Sequence, residues 1–294
     1  MKLKLLLAVG ISLFLFSCER KVDFNLADLP PKLVVEATIE NGKPPVVFLS
    51  TSLNYFSTIN VEKLLNSFVH NAEVYISDGT TTQKLKEYEQ PILNGYSVYY
   101  YSVDTANSAS TFNGELKHSY SLRIVSGNNE YTATTTIPDT TKRIDSIWWK
   151  PAPKGVDSSK AIVMIKVTDP KGFGDYVRYF TQRNGEPFYP GLNSVFDDLI
   201  IDGTTYDIQV DPGADRNVER TEEDHYFNHG DEVVLKLSSI DKTTYDFWRT
   251  MEYTYASVGN PFSSPTKVLG NISNGALGYF GGYASQYRKI VIPE

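Results

Sequence analysis

Cysteine is almost absent from this sequence, since Cys18 is the only one in 294 residues. An intramolecular disulfide is therefore excluded, and the hydrophobic core and sheet pairing must stabilise the fold. Apolar sequence at the N-terminus is limited as well. The stretch from Leu5 to Phe16 is shorter than the ~20 residues that a permanent transmembrane helix requires.

An excess of positive charge is also lacking. The sequence has 28 Lys and Arg against 35 Asp and Glu, and without Lys2 and Lys4 the chain keeps 26 basic residues and a net charge of −9. Proteins that bind nucleic acid neutralise its phosphates with basic patches. The charge balance therefore argues against nucleic acid as a partner, and it predicts that any membrane attachment relies on lipid chains.

Short signatures of common enzyme classes are missing too. The sequence has no Gly-x-Ser-x-Gly elbow for a serine nucleophile and no glycine-rich phosphate loop followed by Lys-Ser or Lys-Thr. Paired carboxylates for glycoside hydrolysis stay open, because the 35 acids offer many candidates and nothing marks two of them. We predict a non-catalytic protein without a cofactor.

What the N-terminus does contain is typical of a bacterial lipoprotein signal. A short basic start precedes the apolar stretch, and Leu15-Phe16-Ser17-Cys18 fits the lipobox, in which a peptidase cuts before a cysteine that carries the lipid. This pattern predicts a signal peptide over residues 1–17, lipid attachment at Cys18 and a polar tether over residues 18–29. The alternative is a soluble secreted protein, which would carry a free thiol in an oxidising compartment.

Strand-forming residues are abundant, with 20 Tyr and 15 Phe beside many Thr, Val and Ile. The alternating segments Tyr120–Val125 and Tyr131–Thr135 flank Ser126-Gly127-Asn128-Asn129, which predicts a hairpin. Several strands at this spacing predict a mainly β fold whose N-terminal unit, residues 30–138, is an immunoglobulin-like β-sandwich.

The second predicted unit, residues 144–294, is β-rich and carries one α-helix near residues 242–257. Residues 139–143 form the predicted junction between the two units. Within the helix, four apolar residues recur at steps of three and four and so share one face: Tyr245, Trp248, Met251 and Tyr255. A hairpin is predicted around Asp202-Gly203, between residues 199–201 and 206–210.

Aromatic residues are the remaining candidates for binding a ligand or a partner. Trp148 and Trp149 are adjacent, so in a strand they point to opposite faces and one of them can be exposed. Tyr279, Phe280 and Tyr283 lie in a glycine-containing segment that we predict to be a loop. Aromatic side chains are favoured at binding interfaces, but the same pattern also suits a packed core, and both interpretations stay open.

Metal binding has two candidate patterns, and the sequence favours neither. His225 and His229 lie four residues apart, a spacing that suits zinc on a helix, yet their segment is a polar lead-in to a strand without a helical stripe. A group of acids around Asp202-Gly203 lacks the spacing of a calcium loop and is explained by turn chemistry. These acids are Asp197, Asp198, Asp202, Asp207, Asp211 and Asp215.

The order of several motifs resembles one family. The most specific stretch is Pro261 to Thr266 followed by the motif Asn271-Ile272-Ser273-Asn274-Gly275-Ala276-Leu277-Gly278-Tyr279-Phe280. The motifs that precede it are Asn71-Ala72-Glu73-Val74, Ile144-Asp145-Ser146-Ile147, Thr168-Asp169-Pro170, Asp175-Tyr176-Val177-Arg178-Tyr179-Phe180, Gly230-Asp231-Glu232-Val233 and Ser239-Ile240-Asp241. Together they look like the Bacteroidota lipoproteins with the domain of unknown function numbered 4249, over almost the whole chain after Cys18.

This resemblance implies an envelope lipoprotein that is often encoded beside a TonB-dependent outer-membrane receptor, and it implies no catalytic residue. We therefore expect a lipid-anchored outer-membrane protein, at the cell surface or the periplasmic face, that assists such a transporter or binds its substrate. The ligand is unknown. The alternatives are a surface adhesin or structural envelope protein and a lipid-anchored hydrolase.

Overall fold

The computed structural model describes residues 30–53, 60–92, 95–106, 112–260, 262–264 and 266–294. Among these residues the helices are α1 (Val61–Leu65), α2 (Lys242–Ser257) and a 3-10 helix (Glu222–His225). The strands are β1 (Leu33–Glu40), β2 (Val46–Thr51), β3 (Glu73–Ser77), β4 (Thr82–Pro91), β5 (Ser97–Ser102), β6 (His118–Ser126), β7 (Asn129–Ile137), β8 (Arg143–Pro151), β9 (Lys160–Thr168), β10 (Tyr176–Arg183), β11 (Tyr189–Phe196), β12 (Thr205–Val210), β13 (Phe227–Asn228), β14 (Glu232–Ile240) and β15 (Leu277–Val291).

The chain is mainly β, as the sequence predicts. Eleven of the described strands form one sheet in the order β11-β10-β14-β15-β1-β2-β5-β4-β3-β6-β7. Strand β4 pairs with β3 through its first half and with β5 through its second half. This one strand therefore joins two parts of the sheet. The predicted hairpin is confirmed as β6 and β7. The immunoglobulin-like arrangement of the N-terminal strands stays a prediction.

The first hydrophobic core is formed mainly by side chains of the N-terminal strands. In β1, Val35, Ala37 and Ile39 are completely buried, whereas Glu36 between them is exposed, which is the period-two pattern of a strand with one covered face. These residues share a core with inward-facing side chains of β3, β6 and β7. Alternation along each strand therefore decides which side chains stabilise this half of the protein.

Strand β15 connects the two predicted units. It pairs in parallel with β1 and antiparallel with β14, and it contributes Phe280 and Ala284 to the first core. Where the sequence predicts two units divided at residues 139–143, the structure has one compact unit over Pro31–Glu294. The physical reason is that the last strand of the second predicted unit completes the sheet of the first.

A second core lies between this large sheet and a smaller one. In the smaller sheet β9 pairs with β8 on one side and with β12 and β13 on the other. Val163 and Ile165 of β9 belong to the same buried cluster as Val233 and Leu235 of β14. The C-terminal part of the chain is thus a two-layer β structure.

Helix α2 has the bounds that the sequence predicts, and Asp241 is its N-cap, accepting a hydrogen bond from Thr244 N at 2.8 Å. The other carboxylate oxygen of Asp241 accepts from Thr136 N at 3.1 Å, which attaches the helix to β7. Gly281 allows the close approach of helix and sheet, because a Cβ there would lie 3.0 Å from Thr244. No helix among the described residues has the length and hydrophobicity that crossing a bilayer requires.

Two local predictions need correction. Residues 199–201 form a turn, and β12 pairs with β9, so the hairpin predicted around Asp202-Gly203 is wrong. The segment Tyr279–Tyr283 lies inside β15 and is not a loop. Because its glycines sit in a sheet interior, they serve close packing of backbone rather than a turn.

The free edge of β7 is covered by the segment that precedes β15. Ser273 N donates to Thr132 O at 2.8 Å, and Asn271 Nδ2 donates to Thr134 O at 3.1 Å. Uncovered edge strands are prone to pair with other chains. The most specific motif of the sequence therefore protects a sheet edge.

Candidate ligand-binding cavity

A cavity with a volume of about 770 Å³ lies between the large sheet and the small one. Strand β11 ends the large sheet and β12 ends the small one, and the cavity is lined by residues of both edge strands. Pockets for small molecules typically enclose ~300–1,000 Å³. The volume is thus that of a binding site for a small organic ligand.

The walls of this cavity are mainly apolar. They use the same strand faces that build the second core, since several lining residues of β9, β10 and β14 also belong to that core. The apolar lining includes Ile165, Val167, Val177, Phe196, Leu235 and Leu237. The hydrophobic effect therefore favours a ligand with a large apolar surface.

Three tyrosines line the walls, namely Tyr179, Tyr206 and Tyr245. Burial, together with the charges of Asp211 and Glu252, raises the pKa of Tyr179 well above its usual range. Burial raises the pKa of Tyr206 to about 12, with a further contribution from Asp169. These phenols keep their protons at neutral pH, so they supply neutral hydrogen-bonding groups rather than a base.

Tyr245, from helix α2, is the third of these tyrosines. Its hydroxyl donates to Asp197 Oδ2 at 2.8 Å, and burial and this hydrogen bond raise its pKa to about 12. Room for the hydroxyl of Tyr179 comes from Gly191, where a Cβ atom would collide with the Tyr179 oxygen. Tyr179 and Tyr245 are thus held by specific neighbours, which fixes their positions in the wall of the cavity.

The mouth of the cavity is partly apolar and partly charged. Phe196 and Ile208, on the two edge strands, are 40% and 38% exposed, so the cavity opens between them. Arg220 and His225 line the same opening, and Arg220 donates a hydrogen bond to Asp224 O. A ligand with an apolar body and a polar end would match this distribution.

A buried ion pair lies against the cavity. Lys142 Nζ is 2.7 Å from Asp169 Oδ1, and the two side chains are 1% and 0% exposed. This pair could not be predicted from the sequence, because a lysine before β8 and an aspartate after β9 carry no local signal that they meet. The apolar walls were missed for a related reason, since alternation marks a covered face but does not tell a filled core from a cavity.

Trp148 and Trp149, which the sequence suggests as binding residues, point to opposite faces of β8, as adjacent strand residues must. Trp149 packs against the second core and its ring lies 5.3 Å from the ring of His229. Trp148 lies on the other face, with Lys150 Nζ 5.9 Å from the ring centroid. Both are half-buried, and neither lines the cavity.

Tyr279, Phe280 and Tyr283 are 3%, 0% and 3% exposed, so they are core residues. Tyr279 stacks on Phe247 of helix α2 with ring centroids 4.4 Å apart, and Tyr283 accepts a hydrogen bond from Trp248 Nε1 at 3.1 Å. The structure therefore agrees with the interpretation of this segment as part of a packed core. Tyr279 and Tyr283 pack with residues of helix α2, whereas Phe280 belongs to the first core.

The two histidines are placed in different surroundings. His225 ends the 3-10 helix and lines the cavity mouth, whereas His229 Nδ1 contacts Pro293 O at 2.7 Å. Neither belongs to a cluster of three or more metal-ligating side chains within the described part of the chain. Cys18 lies outside the described residues.

The sequence model of the family described as Domain of unknown function (DUF4249) matches residues 19–289. The chain belongs to the DUF4249 family. Comparison with curated proteins finds no match. The DUF4249 description assigns no ligand and no reaction, so a function for this member has to be argued from the cavity and its chemistry.

Proposed function

We propose that this DUF4249 protein is a non-catalytic binding protein that holds a mainly apolar small molecule in the cavity between β11 and β12. The observation that carries the proposal is the cavity itself, whose volume is about 770 Å³ and whose walls are largely apolar. Burial of apolar surface contributes ~25 cal/mol per Å². A ligand that fills the cavity would therefore bind mainly through its apolar surface, with the tyrosine hydroxyls orienting its polar groups.

A fluorescent apolar probe, N-phenyl-1-naphthylamine, tests this proposal. The full chain carrying Cys18→Ser is used, so that no lipid on the protein competes for the probe. Ile208→Trp places a bulky ring at the cavity mouth, and Ile92→Trp is the matched control because Ile92 is exposed and does not line the cavity.

We expect the probe to bind the Cys18→Ser chain and the control variant equally. Ile208→Trp should weaken binding by about tenfold or more, a loss of ~1.4 kcal/mol. Circular dichroism confirms that both variants are folded. Probe binding that is absent, or that Ile208→Trp leaves unchanged, would refute the cavity as the binding site.

The cellular setting of this binding protein is the second part of the proposal. We propose a lipid-anchored outer-membrane protein, at the cell surface or the periplasmic face, that assists a TonB-dependent transporter. The support comes from the sequence, because the lipobox ends at Cys18 and the family resemblance implies a receptor encoded nearby. Lipid chains on one cysteine would supply the membrane attachment that the acidic chain cannot obtain from electrostatics.

Affinity purification tests the partnership. The protein is tagged after Glu294, outer membranes are solubilised gently, and mass spectrometry identifies what is recovered with it. We expect a TonB-dependent receptor in stoichiometric amount. Recovery of the lipoprotein alone, repeated after chemical crosslinking, would contradict the partnership and leave the adhesin and structural hypotheses ahead.

A further inference from the structure

Three aspartates from two distant segments converge beside the cavity. Asp169 follows β9, and Asp198 and Asp202 follow β11. One carboxylate oxygen of each residue lies within 4.8 Å of the other two. Asp198 and Asp202 belong to the acids considered for calcium from the sequence, but their meeting with Asp169 has no local signal, because strands β10 and β11 separate them in the chain.

Backbone amides hold two of these carboxylates in place. Asp198 Oδ2 accepts from Gly174 N at 2.8 Å and from Asp175 N at 3.0 Å. Asp202 Oδ1 accepts from Gly172 N at 2.6 Å. Each carboxylate uses one oxygen in these bonds, so the second oxygen of each remains for another partner.

The third carboxylate, Asp169, provides an independent observation. Its side chain is 0% exposed, and neither oxygen accepts a hydrogen bond from any described residue. Oδ1 is paired with Lys142 Nζ at 2.7 Å, whereas Oδ2 has no hydrogen-bond partner among the residues that the structure describes. Buried carboxylates are normally hydrogen-bonded, and leaving an oxygen of a buried carboxylate without a partner is costly. The unpartnered oxygen thus calls for a ligand.

The charges of the cluster identify the class of ligand. Three carboxylates and the ammonium of Lys142 leave two negative charges uncompensated in a site where Asp169 and Asp198 are buried. Like charges at this separation repel strongly away from water. The burial also separates the cluster from a hydrolase site, because two of its three acids are closed to a substrate.

We propose that Asp169, Asp198 and Asp202 form a binding site for a divalent cation of the calcium type. The donors of these three side chains are carboxylate oxygens, which suit hard cations, and calcium completes its six to eight ligands with backbone carbonyls and water. A charge of +2 neutralises the cluster, and Asp202, which is only half-buried, gives the ion access from solvent.

Binding of a cation here has a consequence for the cavity. The segment between Asp198 and Asp202 carries Ile200 and Ile201, which line the cavity. A cation that joins both aspartates to Asp169 fixes this segment against the end of β9. The cation site rests on the cluster and on the unpartnered oxygen of Asp169, so it can be tested independently of the proposed ligand.

Calorimetric titration with CaCl2 tests the site, on the full chain carrying Cys18→Ser after removal of metal with a chelator. Asp202→Asn removes one charge from the half-buried member and keeps an acceptor for Gly172 N. Asp207→Asn is the matched control, since Asp207 is an exposed strand residue paired with Lys166 at 3.7 Å. Asp169→Asn is the second test variant.

We expect one Ca²⁺ per chain, a rise in melting temperature with Ca²⁺, and unchanged binding in Asp207→Asn. Asp202→Asn should weaken Ca²⁺ binding by about tenfold or more, because affinity at such sites follows the number of charged ligands. If Asp169→Asn does not fold, Asp202→Asn still decides the question. Absence of Ca²⁺ binding by the Cys18→Ser chain, or equal affinity in Asp202→Asn and Asp207→Asn, would overturn the proposal and leave Lys142 as the sole countercharge.

Discussion

Asn271 is expected to be one of the most sensitive surface positions of this protein. Its side chain donates to Thr134 O at 3.1 Å and to Phe280 O at 2.8 Å, and it accepts from Phe280 N at 2.8 Å. It thereby joins the edge strand β7 to the central strand β15. Replacement of Asn271 by alanine removes all three hydrogen bonds at once.

The magnitude follows from the burial of the partners. A hydrogen bond within a protein contributes a net ~1 kcal/mol, and a buried group that loses its partner costs ~1–3 kcal/mol. Phe280 is 0% exposed, so its N–H and C=O gain no water when Asn271 is shortened. We expect Asn271→Ala to lower the free energy of unfolding by about 3 kcal/mol.

Asn274→Gly is the matched control for this substitution. Asn274 makes one hydrogen bond, to Glu130 O at 3.3 Å, at an exposed site. Its φ of 55° is in the left-handed region, which glycine adopts without strain. We expect a loss of less than about 1 kcal/mol for this variant.

Urea unfolding followed by circular dichroism measures both changes, with stabilities compared by linear extrapolation. The slope should stay the same in both variants, so that midpoints can be compared directly. A loss in Asn271→Ala no larger than that in Asn274→Gly would refute the reasoning that Asn271 joins β7 to β15.

Two further predictions concern the buried ionisable groups. Because Tyr206 has a pKa of about 12 when folded and about 10 when unfolded, it stabilises the fold fully below pH 10, and this contribution is lost as the pH rises toward 12. Melting temperatures between pH 9 and pH 12 should therefore fall less steeply in Tyr206→Phe, and equal slopes would contradict the prediction. Lys142→Met leaves the buried carboxylate of Asp169 without its countercharge, which should cost ~3–5 kcal/mol in urea unfolding with a chelator present, whereas adding Asp169→Leu should restore much of the loss. An unchanged unfolding midpoint in Lys142→Met would show that the pair does not stabilise the fold.

Local sequence patterns were sufficient to predict those elements in which apolar residues recur at the period of a helix or a strand. The stripe containing Tyr245 and Trp248, followed by Gly259, predicts helix α2 at its observed bounds. The alternation of Tyr120, Leu122 and Ile124 predicts strand β6 in the same way. In both cases the periodicity within one segment is enough to predict its secondary structure, without knowledge of its neighbours in space.

Local patterns failed where the partner of a segment is distant in the chain. Leu277–Tyr283 has the glycine content of a loop, and it is a strand because β1 and β14 flank it on both sides. The hairpin predicted around Asp202-Gly203 failed likewise, since β12 obtains its hydrogen bonds from β9. Tertiary pairing overrides local preference whenever it offers a segment a complete set of backbone partners.

The sequence by itself determined the mainly β class, the long helix, the charge balance and the family, because each depends on composition, on short periods or on ordered motifs. Only the tertiary structure decided that one sheet crosses the predicted junction, that a cavity separates β11 from β12, and that Asp169 meets Asp198 and Asp202. The physical reason is that a cavity or a cluster is a relation between side chains on different strands. Such a relation is set by the pairing and packing of the sheets, and neither is encoded in the spacing of residues along one segment.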